Sequence, residues 1–67
     1  MPMRAKAAML EMLDIVVLDR QFETLPAGTK GVIVLLHHDA YEVEFEGDEE
    51  STRAVPIDAV RKVSADA

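Results

Sequence analysis

Between Gly28 and Glu46 the hydrophobic rhythm of the chain changes twice. Gly28 and Gly31 punctuate a turn, and Val32 to Leu36 then runs without a polar residue. His37-His38-Asp39 breaks the run, and Tyr41 to Glu46 alternates strictly. A continuous apolar run fits a strand buried on both faces, whereas strict alternation fits one buried on a single face. Joined across a polar break, the two predict a β-hairpin, with strands from Gly31 to about His37 and from Tyr41 to Glu46. Tyr41, Val43 and Phe45 then share one face, and Glu42, Glu44 and Glu46 the other.

The flanking segments extend this pattern. Asp14 to Leu18, rich in β-branched residues, reads as a first strand. A long loop over residues 19–27 follows, in which Phe22 folds back on the core and Leu25-Pro26-Ala27-Gly28 makes a turn. Beyond the hairpin, Gly47 to Glu50 reads as a four-residue turn and Ser51 to Val55 as a fourth strand, a closure that sets Glu44 opposite Arg53. Pro56 cannot continue a ladder, so residues 56–60 are expected as a single helical or 3₁₀ turn, and Arg61 to Val63 as a short closing strand.

Ahead of the strands, Ala5, Ala8, Met9, Met12 and Leu13 fall on one helical stripe. Arg4 and Lys6 lie at the wrong end of its dipole, and about ten residues persist as a helix only when docked. Residues 1–13 are therefore expected as an extension, in the form of a short docked helix or a frayed tail. Residues 14–63 form one all-β domain and residues 64–67 a tail. Five short strands, a long first loop, tight later hairpins and a one-turn helix before the last strand describe a small SH3-like barrel.

Composition narrows the chemistry. With 67 residues the chain is near the lower limit for a core without disulfides or metal, and it has no Cys to supply a disulfide, a thiolate ligand or a thiol nucleophile. Aromatic residues make up only 4%, so the core is aliphatic. The net charge of −6 arises entirely from Glu42, Glu44, Glu46, Asp48, Glu49 and Glu50; the other seven acids balance the seven bases. Such a ridge repels phosphate, which argues against nucleic acid and anionic membrane as partners. No apolar stretch is long enough for a membrane span or a secretory leader, and a cytoplasmic protein is expected.

The quoted segments DIVVL, LPAGTKGVIV, AYEVEF and VPIDAVRKV resemble a family of short bacterial proteins known as a domain of unknown function (family four-nine-two-six). The likeness covers about Leu13 to Val63 and is most specific at Ala40 to Phe45 and at Pro56 to Val63. It implies an SH3-like barrel without enzymatic activity. Such genes lie beside a second small gene in the manner of a toxin and its antidote, which implies an antitoxin- or immunity-like role. The chain departs from the family in the extra segment Met1 to Met12 and in Leu35, where a polar residue belongs on the outer face. The glycine-rich turn before Val32 is also similar to the KOW motif of ribosomal and transcription proteins, a likeness the acidic ridge opposes. The aromatic-lined groove of eukaryotic SH3 peptide binders has no counterpart here.

Candidate chemistry is sparse. His37-His38-Asp39 offers metal-ligand atoms, but neighbours at a hairpin diverge and no further His completes a site. Asp48-Glu49-Glu50 lacks the spacing of a calcium loop. Ser51 and Ser64 sit in no nucleophile elbow. Gly28-Thr29-Lys30-Gly31 lacks the spacing and the helix of a phosphate loop. No catalytic residue, metal or cofactor is expected.

The remaining signal is a surface. Three glutamates along one strand face repel each other; they guard against edge pairing, or they bind a basic partner. One parity of the apolar run, Ile33 and Leu35, is expected to face outward beside them as an apolar stripe rimmed by acids. The expected site therefore comprises Glu42, Glu44, Glu46, Asp48, Glu49, Glu50, Ile33 and Leu35. Its expected occupant is a protein with a basic surface. A second copy is the alternative, in a homodimer through strand two and the N-terminal segment.

Overall fold

The computed structural model describes residues 10–63; the N-terminal extension up to residue 9 and the tail 64–67 lie outside the described residues. Five strands run in the order β1 (Ile15–Leu18), β2 (Lys30–Leu36), β3 (Ala40–Phe45), β4 (Arg53–Pro56) and β5 (Val60–Lys62). A 3₁₀ turn, Ile57–Ala59, joins the last two, directly after Pro56 as expected. All pair antiparallel in one sheet with spatial order β4-β3-β2-β1-β5. The sheet is not closed, because its edge strands β4 and β5 do not pair.

It is nevertheless strongly curved. Laid flat, five strands would put the edges about 19 Å apart. Pro56 ends β4 and Val60 begins β5, and a chain of that length reaches at most about 14 Å. The curl gathers residues from both edges into one cluster: Val55 from β4 and Val60 from β5 join Val16, Leu18, Ile33, Tyr41, Val43 and Phe45. Phe22 and Leu10 pack on it from the side. No polar or charged residue is buried with them among the described residues. The alternation of β3 is obeyed, with Tyr41, Val43 and Phe45 inside.

Two features of β2 fix which residues enter the core. At Gly31, opposite Phe45, an added Cβ would stand 2.8 Å from the backbone oxygen of Glu44 and 2.9 Å from the Phe45 ring. The strand can approach β3 here only without a side chain. Further along, the register slips between Ile33 and Leu35, a bulge that leaves Val34 without an opposite partner. Ile33 faces Val43 and is fully buried, whereas Leu35 faces Glu42 and is 45% exposed. The expectation that Ile33 points outward is therefore overturned. Two residues apart, Ile33 and Leu35 would share a face in a regular strand, and the bulge puts them on opposite faces.

The hairpin between β3 and β4 also differs from expectation. Arg53 lies opposite Val43, not Glu44, and Glu44 lies opposite Val32. The connection is longer than the four residues expected and runs from Glu46 to Thr52. Residues 11–14 form a tight turn, with Asp14 N–H donating to the Glu11 carbonyl at 3.1 Å and Leu13 held at a φ of 72°. The Asp14 carboxylate returns an oxygen to the Glu11 N–H at 2.8 Å. This part of the expected helical stripe is thus a turn that feeds β1.

Gly31→Ala is expected to destabilise the fold by about 1–3 kcal/mol through overpacking, because the obstructing oxygen belongs to the backbone of β3. Urea denaturation of the variant beside the parent checks it; an unchanged midpoint would refute the close approach.

Candidate interaction face

The outer surface of the sheet is ordered in rows, one residue per strand. Val63 N–H donates to the Ile15 carbonyl, Ile15 lies opposite Val32, and Val32 lies opposite Glu44. The row Val63, Ile15, Val32, Glu44 thus crosses from β5 to β3 and is apolar until its last member. The next row holds Arg61, Val17, Lys30 and Glu46, through the pairs Val17–Arg61 and Val17–Lys30 and the Glu46 N–H bond to the Lys30 carbonyl. A third position beyond the bulge pairs Leu35 with Glu42. The first row, with Lys30 and Glu46 of the second, borders an open groove of ≈ 590 Å³.

The face is apolar where it is central. Ile15 is 51% exposed, and Val32 and Val63 are half-buried. Leu35, exposed and opposite Glu42, extends the apolar area beyond the bulge. Val17 is buried although it lies on this side, flanked along its row by the aliphatic stems of Lys30 and Arg61. The charge is uneven: Lys30 on β2 forms no ion pair among the described residues, Arg61 on β5 donates from Nε to Asp19 Oδ1 at 2.6 Å, and the exposed carboxylates lie on the β3 side.

The six acids of the sequence ridge divide into two groups. Asp48 is turned inward, its side chain only 3% exposed, where Arg53 grips it from two nitrogens. Nε donates to Oδ2 at 2.6 Å and Nη2 to Oδ1 at 2.8 Å. Arg53 Nη1 also donates to Glu23 Oε1 at 2.8 Å, tying the loop after β1 to the loop after β3. The Arg53 guanidinium holds the Asp48 carboxyl down to about 2, against the opposing effect of desolvation. The Glu50 N–H adds a further bond to Asp48 at 3.2 Å. Glu42, too, is engaged: His37 Nε2 lies 2.8 Å from its Oε1, and Thr52 Oγ1 donates to Oε2 at 3.0 Å. Those two hydrogen bonds, His37 first, lower the Glu42 pKa from its ordinary value.

Asp48 and Glu42 are therefore structural carboxylates, a correction to the uniform ridge expected from sequence. Spacing could not reveal it, because Arg53 and His37 reach their partners through the turn and across the hairpin. Glu44, Glu46, Glu49 and Glu50 are exposed and form no ion pair among the described residues. Sequence reasoning missed Ile15, Val32 and Val63 as members of the face. The signal for Ile15 was present, since alternation along β1 places it opposite in parity to Val16.

Among the described residues no group of three or more metal-ligating side chains converges. None of their helices is long and apolar enough to cross a membrane. No family model, curated protein or solved structure matches the chain.

The depressed Asp48 carboxyl sets an acid limb of stability. A group lowered from 3.8 to about 2 stabilises the fold fully above its unfolded value, and that contribution is lost as pH falls through the interval between the two. Glu42 loses its contribution as the pH falls below its ordinary value of 4.5. Asp48→Asn is expected to lower stability at neutral pH and to flatten the decline between about pH 4 and pH 2. Urea midpoints measured across that range check both, and an unchanged acid slope would count against the Arg53 grip.

Proposed function

We propose that this chain is a non-catalytic protein-interaction module that presents its acidic and aliphatic outer face to a basic protein. The observation that carries the reading is the adjacency of exposed carboxylates to exposed aliphatic surface: Glu44 stands beside Val32 in one row, next to Ile15. Apolar area supplies affinity and the carboxylates steer and select a cationic partner. Glu49 and Glu50, in the loop that follows Glu46, strengthen the same field.

The architecture we assign is an SH3-like barrel, supported by the strand order and by the 3₁₀ turn before β5. The likeness to the bacterial family four-nine-two-six goes with that architecture and with an antitoxin- or immunity-like role, in which the basic partner is a neighbouring gene product. The absence of Cys fits a cytoplasmic setting. A second reading, self-association through the same face, draws on Lys30 lying one row from Glu44, which lets a two-fold arrangement oppose unlike charges.

Two measurements separate these readings. In pull-downs from the source cell, Glu44→Lys combined with Glu46→Lys is expected to lose the basic proteins recovered by the parent. Identical recoveries would reduce the face to a solubility device. In sedimentation across a dilution series the parent is expected to stay a monomer at micromolar concentration, and a concentration-dependent dimer would favour self-association instead.

A further inference from the structure

We infer that the groove on the outer face takes one arginine side chain of the partner, its stem along Ile15 and Val32 and its guanidinium between Glu44 and Glu46. The inference rests on the reading of this face as a docking surface for a basic protein, and it names the group that is recognised.

The groove has the chemistry that an amphipathic side chain needs. Its floor is aliphatic, with Val63, Ile15 and Val32 in one row, and its far end carries Glu44 in that row and Glu46 in the next. Long basic side chains lay their methylenes on apolar surface and keep the charged head outside it. One inter-strand step, about 5 Å, separates Val32 from Glu44, which is roughly the reach of three or four methylenes. An arginine whose backbone stands over Ile15 therefore lays its stem on Val32 and brings its head to the carboxylates. Gly47 borders the same end, and an added Cβ there would meet nothing within 4 Å, so that end has room for the head.

The spacing of the acids selects arginine over lysine. Glu44 and Glu46 share a strand face two residues apart, about 7 Å along the chain, and neither forms an ion pair among the described residues. A planar guanidinium presents five donors in a fixed fork and answers two carboxylates at once, whereas an ammonium is a point charge. Asp48 also borders the groove, but both its oxygens are taken by Arg53. Lys30 is the one basic residue at the rim, and it lies beside Glu46 in the second row. It opposes an incoming cation from that side, so the head settles toward Glu44.

The ion pairs favour a different protein over a second copy as the donor. Each arginine among the described residues is already held by carboxylates of its own chain: Arg20 by Asp58, Arg53 by Asp48 and Glu23, Arg61 by Asp19. A second copy would have to break one of these pairs to supply the head. Two copies each carrying a net charge of −6 also repel one another before they meet.

The test titrates the isotope-enriched full chain with two blocked pentapeptides, one holding a single arginine among glycines and the other a single lysine, and follows the amide shifts. The arginine peptide is expected to shift Ile15, Val32, Glu44, Glu46 and Val63 saturably, and the lysine peptide to bind about threefold more weakly or worse. Glu44→Gln and Ile15→Ser, both at exposed positions, should each weaken the arginine peptide several-fold. Lys30→Met keeps an aliphatic stem beside Val17 and removes the opposing charge, so it should tighten binding about threefold. That gain cannot come from a damaged fold. Equal affinities for the two peptides would overturn the inference in favour of diffuse charge attraction. So would an equal loss in Glu50→Gln, a carboxylate outside the groove. The same shifts on concentrating the protein alone would also overturn it, since a second copy would then fill the groove. The pull-down is decided separately. Captured basic proteins without arginine-peptide binding leave the proposed function standing, and arginine-peptide binding without a captured protein removes the protein partner and leaves an arginine site.

Discussion

A single sheet has no second layer against which to bury its apolar face, so it must supply its own by curling. In this chain the curl is enforced by covalent connectivity. Pro56 stops β4, the turn Ile57–Ala59 follows, and Val60 begins the opposite edge of the same sheet. The two edges cannot separate further than that link allows, and Val55 and Val60 are thereby drawn into one cluster with Ile33 on the central strand. Ala59, fully buried within the link, belongs to the same cluster, and its carbonyl accepts the Asp19 N–H at 2.8 Å. A chain this short, without disulfide or described metal cluster, depends on that arrangement for an interior.

Curling decides what is left outside. The concave side closes on aliphatic residues from every strand, whereas on the convex side of β1 and β2 Val17 is covered but Ile15 stays half exposed. The apolar content of those two strands exceeds what one face of a tiny interior can absorb. The bulge at Val34 manages part of the excess by placing Ile33 inside and Leu35 outside. Ile15 and Val32 are the remainder, and their neighbours across the sheet are Val63 and Glu44. The outer face is thus a consequence of building an aliphatic core from one curved sheet.

Strand identity was legible in the sequence because it rests on local rhythm. The alternation of Tyr41 to Phe45 and the stop at Pro56 each report a constraint within a few residues. Register was less legible. The continuous run Val32 to Leu36 contains no polar residue to mark a face, so the bulge that divides it leaves no trace in its pattern. The expected Glu44–Arg53 pair failed for a different reason. It assumed the shortest closure between strands, whereas the loop is held open by Asp48, which reaches back to Arg53. A salt bridge that fixes loop length is a tertiary fact, and spacing alone does not encode it.

The same distinction governs the acids. By sequence Glu42 to Glu50 is one block, but position on the curved sheet sorts it. Arg53 faces Val43 and so occupies an inward position at the rim of the core, where an unpaired cation would be costly to keep. Asp48 and Glu23 compensate it there, and the strained φ of 54° at Glu23 sits in the turn closed by Phe22 and Leu25. Glu42 is consumed by His37 and Thr52 at the other end of the hairpin. What remains is a narrower set, Glu44 and Glu46 with the loop residues Glu49 and Glu50, concentrated on one side of the aliphatic row. A polarised face discriminates the orientation of a cationic partner as well as its sign, because Lys30 opposes the reversed placement, whereas Arg61 is compensated by Asp19. Selectivity at this face therefore rests on the one cation that repels, Lys30, as well as on the carboxylates that attract.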